Sequence, residues 1–210
     1  MSIVLASTSP RRQDLLGLLG LSFDVVAPRY VEAPRVAHLP ADQVLAFALG
    51  KAWSCAPAVP DRLVLGSDTV IEVEGTVLGK PSGRGDAERM LHRLAGRTHL
   101  IHTAVALVRG GDGMEQSGLE TVRVWMKPLS RSAIRAYVRS GEGLGKAGSY
   151  AIQGAGGALI DRIEGDYTAA VGLPLRLVAR MLTAQGVVVP VDVEALYRTR
   201  PYPNWQAFPS

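Results

Sequence analysis

Apolar positions along the chain follow two periods, and the switches between them mark its elements. Ile3-Val4-Leu5-Ala6 is a short unbroken apolar run, the pattern of a buried strand. Ser7-Thr8-Ser9 then supplies turn and capping chemistry, and Pro10 fits a first helical position because its missing N–H would be unpaired there anyway. Leu15, Leu16, Leu18 and Leu19 give the following helix an apolar face, with Gly20 placed to stop it. Residues 22–27 read as a second strand, followed by a polar loop through Glu32 and Pro34. A second helix is predicted from near Pro40, carrying Val44, Leu45, Phe47, Ala48 and Lys51. Leu63-Val64-Leu65 is predicted as a buried strand that ends at Gly66-Ser67-Asp68-Thr69. Residues 70–73 and 76–78 look like hairpin arms around Glu74-Gly75.

Further along, residues 86–94 are predicted as a helix ended by Gly96. Residues 98–108 and 120–127 alternate like long strands, joined by a glycine-rich turn at 110–113. Residues 130–138 read as a helix with Ser130 as its N-cap, 150–152 and 158–160 as short strands around a glycine-rich link, and 175–182 as a last helix. Strands mixed with helices, at least one pair as a hairpin, predict an α/β fold with a mixed sheet. There is no internal repeat. Residues 1–195 are expected to form one domain, and 196–210, with Pro201, Pro203, Trp205 and Pro209, an extended tail that packs on a surface or frays.

Composition narrows the class. Apolar residues make up 47% of the chain, which favours a globular protein with a real core. No run reaches the roughly 18 apolar residues of a membrane span. The single Cys55 cannot form an internal disulfide, which favours a reducing compartment such as the cytoplasm, or indifference to redox. The net charge of +4 is a modest excess rather than a nucleic-acid-binding extreme, and it is compatible with a small polyanionic substrate. Ser9-Pro10-Arg11-Arg12 before a leucine-rich stretch approaches a twin-arginine export pattern. Asp14 interrupts it and no small-residue cleavage site follows, so the segment reads as folded structure, with export as the minor alternative.

Four places carry candidate chemistry. At Leu5 to Arg12 a strand turns into a helix whose N-terminus suits phosphate, and Arg11 and Arg12 there oppose the helix dipole unless an anion is bound. The same turn also fits a plain capped helix with two solvated arginines. Asp68, at a strand end, can bind a hard cation or accept a proton from water, or simply close an Asx-turn. Glu32, Lys51 and Lys80 are scattered charges: a second carboxylate for a metal and two point charges for a polyphosphate, each equally at home on a surface. Gln153 follows a glycine-flanked run, and its amide offers a donor and an acceptor to a base edge. The remaining candidates favour structural roles. His99 and His102, three apart on a strand, face opposite sides; His38 and His92 stand alone, and Cys55 has no evident base. No Walker A pattern, zinc spacing or nucleophile elbow is present.

Taken in order, these segments resemble the Maf family of nucleotide pyrophosphatases. The resemblance rests on Leu5 to Arg12, Gly66-Ser67-Asp68-Thr69-Val70, Gly79-Lys80-Pro81, Leu94-Ala95-Gly96-Arg97-Thr98-His99, Lys146 to Gly154, and Val171-Gly172-Leu173-Pro174-Leu175, and it spans residues 3–182. Arg11, Thr69 and Gln153 match the family branch that acts on dTTP and UTP rather than on 7-methyl-GTP. Two positions depart: Tyr30-Val31-Glu32 stands where the family often has two adjacent acids, and Gly145 where an acid commonly precedes Lys-Ala-Gly.

The resemblance implies a two-lobed Maf/ITPase-like fold, a mixed sheet flanked by helices with a cleft between lobes, and a homodimer. It also implies hydrolysis of nucleoside triphosphates to monophosphate and pyrophosphate. Asp68 would bind metal or activate water, with Glu32 helping to hold Mg²⁺ or Mn²⁺. Ser7, Arg12, Lys51 and Lys80 would grip the triphosphate, and Arg11, Thr69 and Gln153 would select the base. No nucleic-acid or membrane partner is expected. The alternatives within the same resemblance are a 7-methyl-GTP pyrophosphatase and a non-catalytic nucleotide-binding regulator of septum formation. Trp125, Tyr197, Tyr202 and Trp205 are the large aromatics that could serve a dimer interface or cover the protein's own surface.

Overall fold

The computed structural model describes residues 2–33 and 39–208. Pro34, His38 and Pro209, singled out above, lie outside the described residues. β1 (Ile3–Ala6) runs parallel to β2 (Phe23–Val25) and to β3 (Leu63–Val73), and β4 (Thr76–Leu78) returns antiparallel on β3. β5 (Thr98–Arg109) and β6 (Met114–Met126) follow, and β7 (Ile160–Glu164) pairs antiparallel with β6. Among the described residues the sheet has seven strands in the order β2-β1-β3-β5-β6-β7, with β4 beside β3. The sheet is mixed and flanked by helices, as the pattern of elements predicts.

The chain divides into two compact units, each assembled from three separate stretches. The first comprises Met1–Asp68, Thr103–Glu120 and Gly172–Thr199. Its helices are α1 (Pro10–Gly17), α2 (Pro40–Cys55), α6 (Leu175–Ala184) and α7 (Val193–Thr199). In α2 the buried positions Val44, Phe47, Ala48, Lys51, Ala52 and Cys55 recur at helical spacing and form one face. Lys51 is thus a charge set into an apolar stripe. Gly66 on β3 lets that face come close: a Cβ there would run into the carbonyl oxygen of Ala48 and lie 2.9 Å from the Ala52 nitrogen. Glycine serves here for the close approach of two backbones.

The second unit comprises Thr69–His102, Thr121–Val171 and Arg200–Ser210. It contains α3 (Arg84–Leu94), α4 (Arg131–Ser140), α5 (Tyr167–Val171) and α8 (Pro203–Ala207). Ser130 caps α4 as predicted, its Oγ accepting from the Ala133 N–H at 3.2 Å, and Gly141 closes that helix at φ 75°. Glu74 and Gly75 both have positive φ, the requirement of a tight hairpin turn. Trp205 is fully buried and stacks on Tyr167, ring centroids 5.5 Å apart.

Several boundaries differ from the sequence expectation. β3 does not end before Asp68 but runs through it to Val73, so the first hairpin arm and the preceding strand are one element. The polar Ser-Asp-Thr run hides this, because a strand interior is usually poor in Asp. Residues 150–152 are buried but form no strand. Gly148 and Ser149, both at positive φ, turn the chain just before them. Their backbone bonds go to side chains: the Ala151 N–H donates to Tyr137 Oη at 3.2 Å, and Ile152 O accepts from Asn204 Nδ2 at 2.6 Å. The second short strand lies later than predicted, as β7, after a 3-10 turn at Ala155–Leu159. The segment expected to be extended carries α8, whose Trp205 is in the core.

Candidate active site

The first unit gathers Ser7, Arg11, Arg12, Glu32, Lys51 and Asp68; Thr69, Lys80 and Gln153 belong to the second. In the first unit the centre is Lys51. Its Nζ donates to Asp68 Oδ1 and lies 2.7 Å from Glu32 Oε1. Lys51 and Asp68 are buried, at 8% and 6% exposure, and Glu32 is open to solvent. Two residues that the sequence offers only as scattered charges, Lys51 and Glu32, therefore share one contact with the strand-end carboxylate Asp68. A buried ion pair is stabilising only when the attraction offsets desolvation, and removing one partner leaves the other uncompensated.

Glu32 reaches this place because its loop is docked. The Val26 N–H donates to Leu5 O at 3.0 Å, and the Arg29 N–H to Ser54 Oγ at 3.1 Å. Tyr30 packs its ring against the bare Cα of Gly50, where a Cβ would collide with it, and lies 6.2 Å from the Phe47 ring. The tyrosine that stands in the departed acidic motif is thus the anchor for Glu32.

The turn from β1 into α1 completes the group. Ser9 holds the N-cap position with no side-chain bond; instead Ser7 Oγ, buried, accepts from the Ser9 N–H at 3.2 Å. Arg12 is half-buried and its Nε donates to Gly172 O at 2.9 Å; Ser67 Oγ donates to the same carbonyl at 3.1 Å. Burial lowers the Arg12 pKa, Asp68 raises it, Arg11 lowers it and Glu32 raises it, with a net downward shift. Those causes place Arg12 within electrostatic reach of Asp68, Glu32 and Arg11. Arg11, Arg12 and Lys51 set three positive charges against the two carboxylates, a surplus suited to a polyanion.

In the second unit Thr69 is half-buried on β3 and Lys80 is exposed just after β4. The Gly148 N–H donates to Gly79 O at 3.1 Å, which ties the Lys80 corner to the segment leading to Gln153. Gln153 is half-buried, and its side chain has no hydrogen-bond partner among the described residues.

Glu142 was not visible as a participant in the sequence. Its carboxylate accepts from Tyr137 Oη at 2.6 Å, the Ala155 N–H at 2.8 Å and the Gly156 N–H at 2.9 Å. Burial works against its charge, but these three bonds and nearby Lys146 outweigh it and hold the carboxyl below its ordinary range. A Cβ on Gly154 would strike this carboxylate. Lys146, next to Gly145, donates to the Glu142 carbonyl. The only sequence signal was a carboxylate four residues ahead of a glycine-flanked lysine. The two histidines go separate ways, His99 to Tyr150 at 2.6 Å and His102 to Glu72 and Thr121, both at 2.9 Å.

A family model described as Maf-like protein matches residues 2–185. The chain belongs to the Maf family. Among Maf relatives, a dTTP/UTP pyrophosphatase of Symbiobacterium thermophilum is 48% identical over 184 residues, 88% of this chain and 94% of that one. A dTTP/UTP pyrophosphatase of Methylobacillus flagellatus is 47% identical over 190 residues, 90% of this chain and 94% of its own. One of Vibrio parahaemolyticus is 48% identical over 176 residues, 83% of this chain and 92% of its own. The Maf match stops short of α7 and α8, which follow residue 185. Among the described residues no group of three or more His, Cys, Asp or Glu could hold a metal, and no helix is long and apolar enough to cross a membrane.

Proposed function

We propose that this Maf protein is a cytoplasmic enzyme that hydrolyses dTTP and UTP between the α- and β-phosphates, releasing the nucleoside monophosphate and pyrophosphate. The observation that carries the reading is the meeting of Asp68 and Glu32 on the Lys51 ammonium, beside Arg12 and the α1 turn. Relatives nearly half identical over most of the chain, described as dTTP/UTP pyrophosphatases, support the substrate.

The donor set fits a divalent cation. Two carboxylates already converge on one positive charge, and Mg²⁺ or Mn²⁺ takes one or two carboxylates and completes its shell with water and substrate phosphate. Asp68 and Glu32 would hold it. When bound, such a cation offsets triphosphate charge and makes water more acidic. The protein's own groups supply the rest. Asp68 accepts the proton of the attacking water. Lys51, Arg12, Lys80 and the Ser7 hydroxyl bind phosphate oxygens and stabilise the charge that develops as pyrophosphate leaves. Arg12 is aimed by Gly172 O, so its guanidinium is set before substrate arrives.

Arg11, Thr69 and Gln153 select the base. Thymine and uracil share one hydrogen-bonding edge and differ by a methyl group, which changes discrimination by only about 1–3 kcal/mol. A site that pairs with that edge rejects cytosine more strongly, because its polar groups would be left unpaired. The deciding experiment is product analysis after incubation with dTTP, UTP, CTP and 7-methyl-GTP plus Mg²⁺ or Mn²⁺. Pyrophosphate with dTMP and UMP is expected. Stepwise dTDP and orthophosphate, or turnover confined to 7-methyl-GTP, would overturn the reading.

A further inference from the structure

Beyond the family-matched stretch, α8 brings a side chain onto the segment that carries Gln153. Asn204 Nδ2 donates to Ile152 O at 2.6 Å and to Gly154 O at 2.8 Å, the carbonyls on either side of Gln153. Both hydrogens of the amide are used. Gly157 makes room for it, since a Cβ there would lie 2.6 Å from Nδ2. Asn204 is itself fixed by its neighbour. Trp205 is fully buried and stacked on Tyr167, and Phe208 stacks on that same ring at 6.4 Å. From the other side Glu142 accepts the Ala155 and Gly156 N–H groups. The backbone around Gln153 is therefore tied at Ile152 O, Gly154 O, Ala155 N and Gly156 N, while the Gln153 amide has no partner among the described residues. A polar side chain held this firmly by its backbone, with its own donor and acceptor left open, is arranged to meet a ligand.

We propose that Asn204 is a positioning residue for base selection, which fixes the two carbonyls around Gln153 and so sets the direction in which Gln153 presents its amide. The proposal rests on the reading above that Gln153 contacts the base. It assigns a part in specificity to a C-terminal helix that lies outside the Maf-matched residues. Asn204 touches no substrate; it acts through Gln153.

Asn204→Asp preserves shape but removes both donors and turns a carboxylate toward two carbonyl oxygens. The test is kcat/KM for dTTP, UTP and CTP in the wild type, Asn204→Asp, Gln153→Ala and the double variant. Asn204→Asp should lower kcat/KM for dTTP and UTP about tenfold, the scale of one ordering hydrogen bond, and leave CTP within about threefold. The double variant should discriminate no worse than Gln153→Ala alone, as residues acting through one contact do. Asn204→Ala, which removes both donors without placing a charge there, should also lower kcat/KM for dTTP and UTP selectively, and it carries the same test should the aspartate variant not fold. A uniform fall for all three nucleotides in the Asn204 variants, with Gln153→Ala still narrowing the ratios, would overturn the proposal and leave the base reading standing. Unchanged ratios in Gln153→Ala would overturn the base reading, and this proposal with it.

Discussion

At the scale of single residues, Asp68 combines burial, a bond from Lys51 and that lysine's second pairing with Glu32. Asp68→Asn keeps the shape and removes the proton acceptor. Turnover of dTTP should fall about 10²-fold or more while the protein still folds, with a lowered melting temperature because the buried Lys51 keeps only Glu32 as a charged partner. Steady-state kinetics and a thermal melt check it, and turnover within threefold of wild type would remove Asp68 from the mechanism. His99 makes a different kind of prediction. Burial pushes its imidazole down to about 4, and its Nδ1 has no hydrogen-bond partner among the described residues. An unfolded histidine titrates near about 6.5, so between the two values the unfolded chain binds the extra proton. Stability is then complete above about pH 6.5 and is lost as pH falls toward 4, by roughly 2 to 3 kcal/mol at about pH 4.5. Urea denaturation at pH 7 and 4.5 should show this loss, and His99→Gln should flatten it.

At the scale of elements, the docking of the Tyr30 loop on α2 decides where Glu32 stands. Gly50→Ala would push the Tyr30 ring away while leaving the helix itself intact, since alanine is the better helix former. The variant should fold with nearly wild-type stability and lose about 10- to 10²-fold in kcat/KM, because small displacements at a reacting centre have effects of that size. Equal kinetics would show that Glu32 does not depend on this packing. The same helix illustrates what a sequence discloses. Its apolar stripe is plain from Val44 onward, and a lysine on that stripe is a signal in itself. That Lys51 meets both Asp68 and Glu32 is not readable, because they come from three segments joined only by folding. Residues 150–152 failed for the opposite reason. Their local pattern fits a strand, but two left-handed residues before them and side-chain partners for their backbone override it. Glu142 and Asn204 bind mainly backbone groups, which leave no trace in residue type. α8 was hidden by its prolines, although Pro203 sits where a helix tolerates it.

At the scale of the molecule, the mixed sheet was legible because β1, β3 and β5 keep strong apolar runs, and the hairpin turn at Glu74-Gly75 fixes one antiparallel pair. Assembly is the remaining question at this scale. Tyr197 and Trp205 are buried within the chain, so two of the aromatics that pointed to an interface serve the protein's own packing. Trp125 is half-buried under Arg162, whose guanidinium lies 3.7 Å from the ring centroid, and Tyr202 is half-buried. We propose a homodimer, for which light scattering at micromolar concentration should give twice the chain mass of 22.3 kDa. A single-chain mass would reject it.

The bond from Arg12 to the Gly172 carbonyl joins groups 160 residues apart, and Ser67 reaches the same oxygen from 105 residues away. During synthesis the arginine emerges 160 residues before its acceptor. A growing chain that already carries Asp68, Lys51 and Glu32 still lacks the carbonyl that aims Arg12 and the α6–α7 segment that completes its unit. Contacts of such long sequence separation form late, after the entropy of closing the loop has been overcome. The Arg12 side of the site is therefore complete only once the chain has grown past Gly172, well after Asp68, Lys51 and Glu32 have been made.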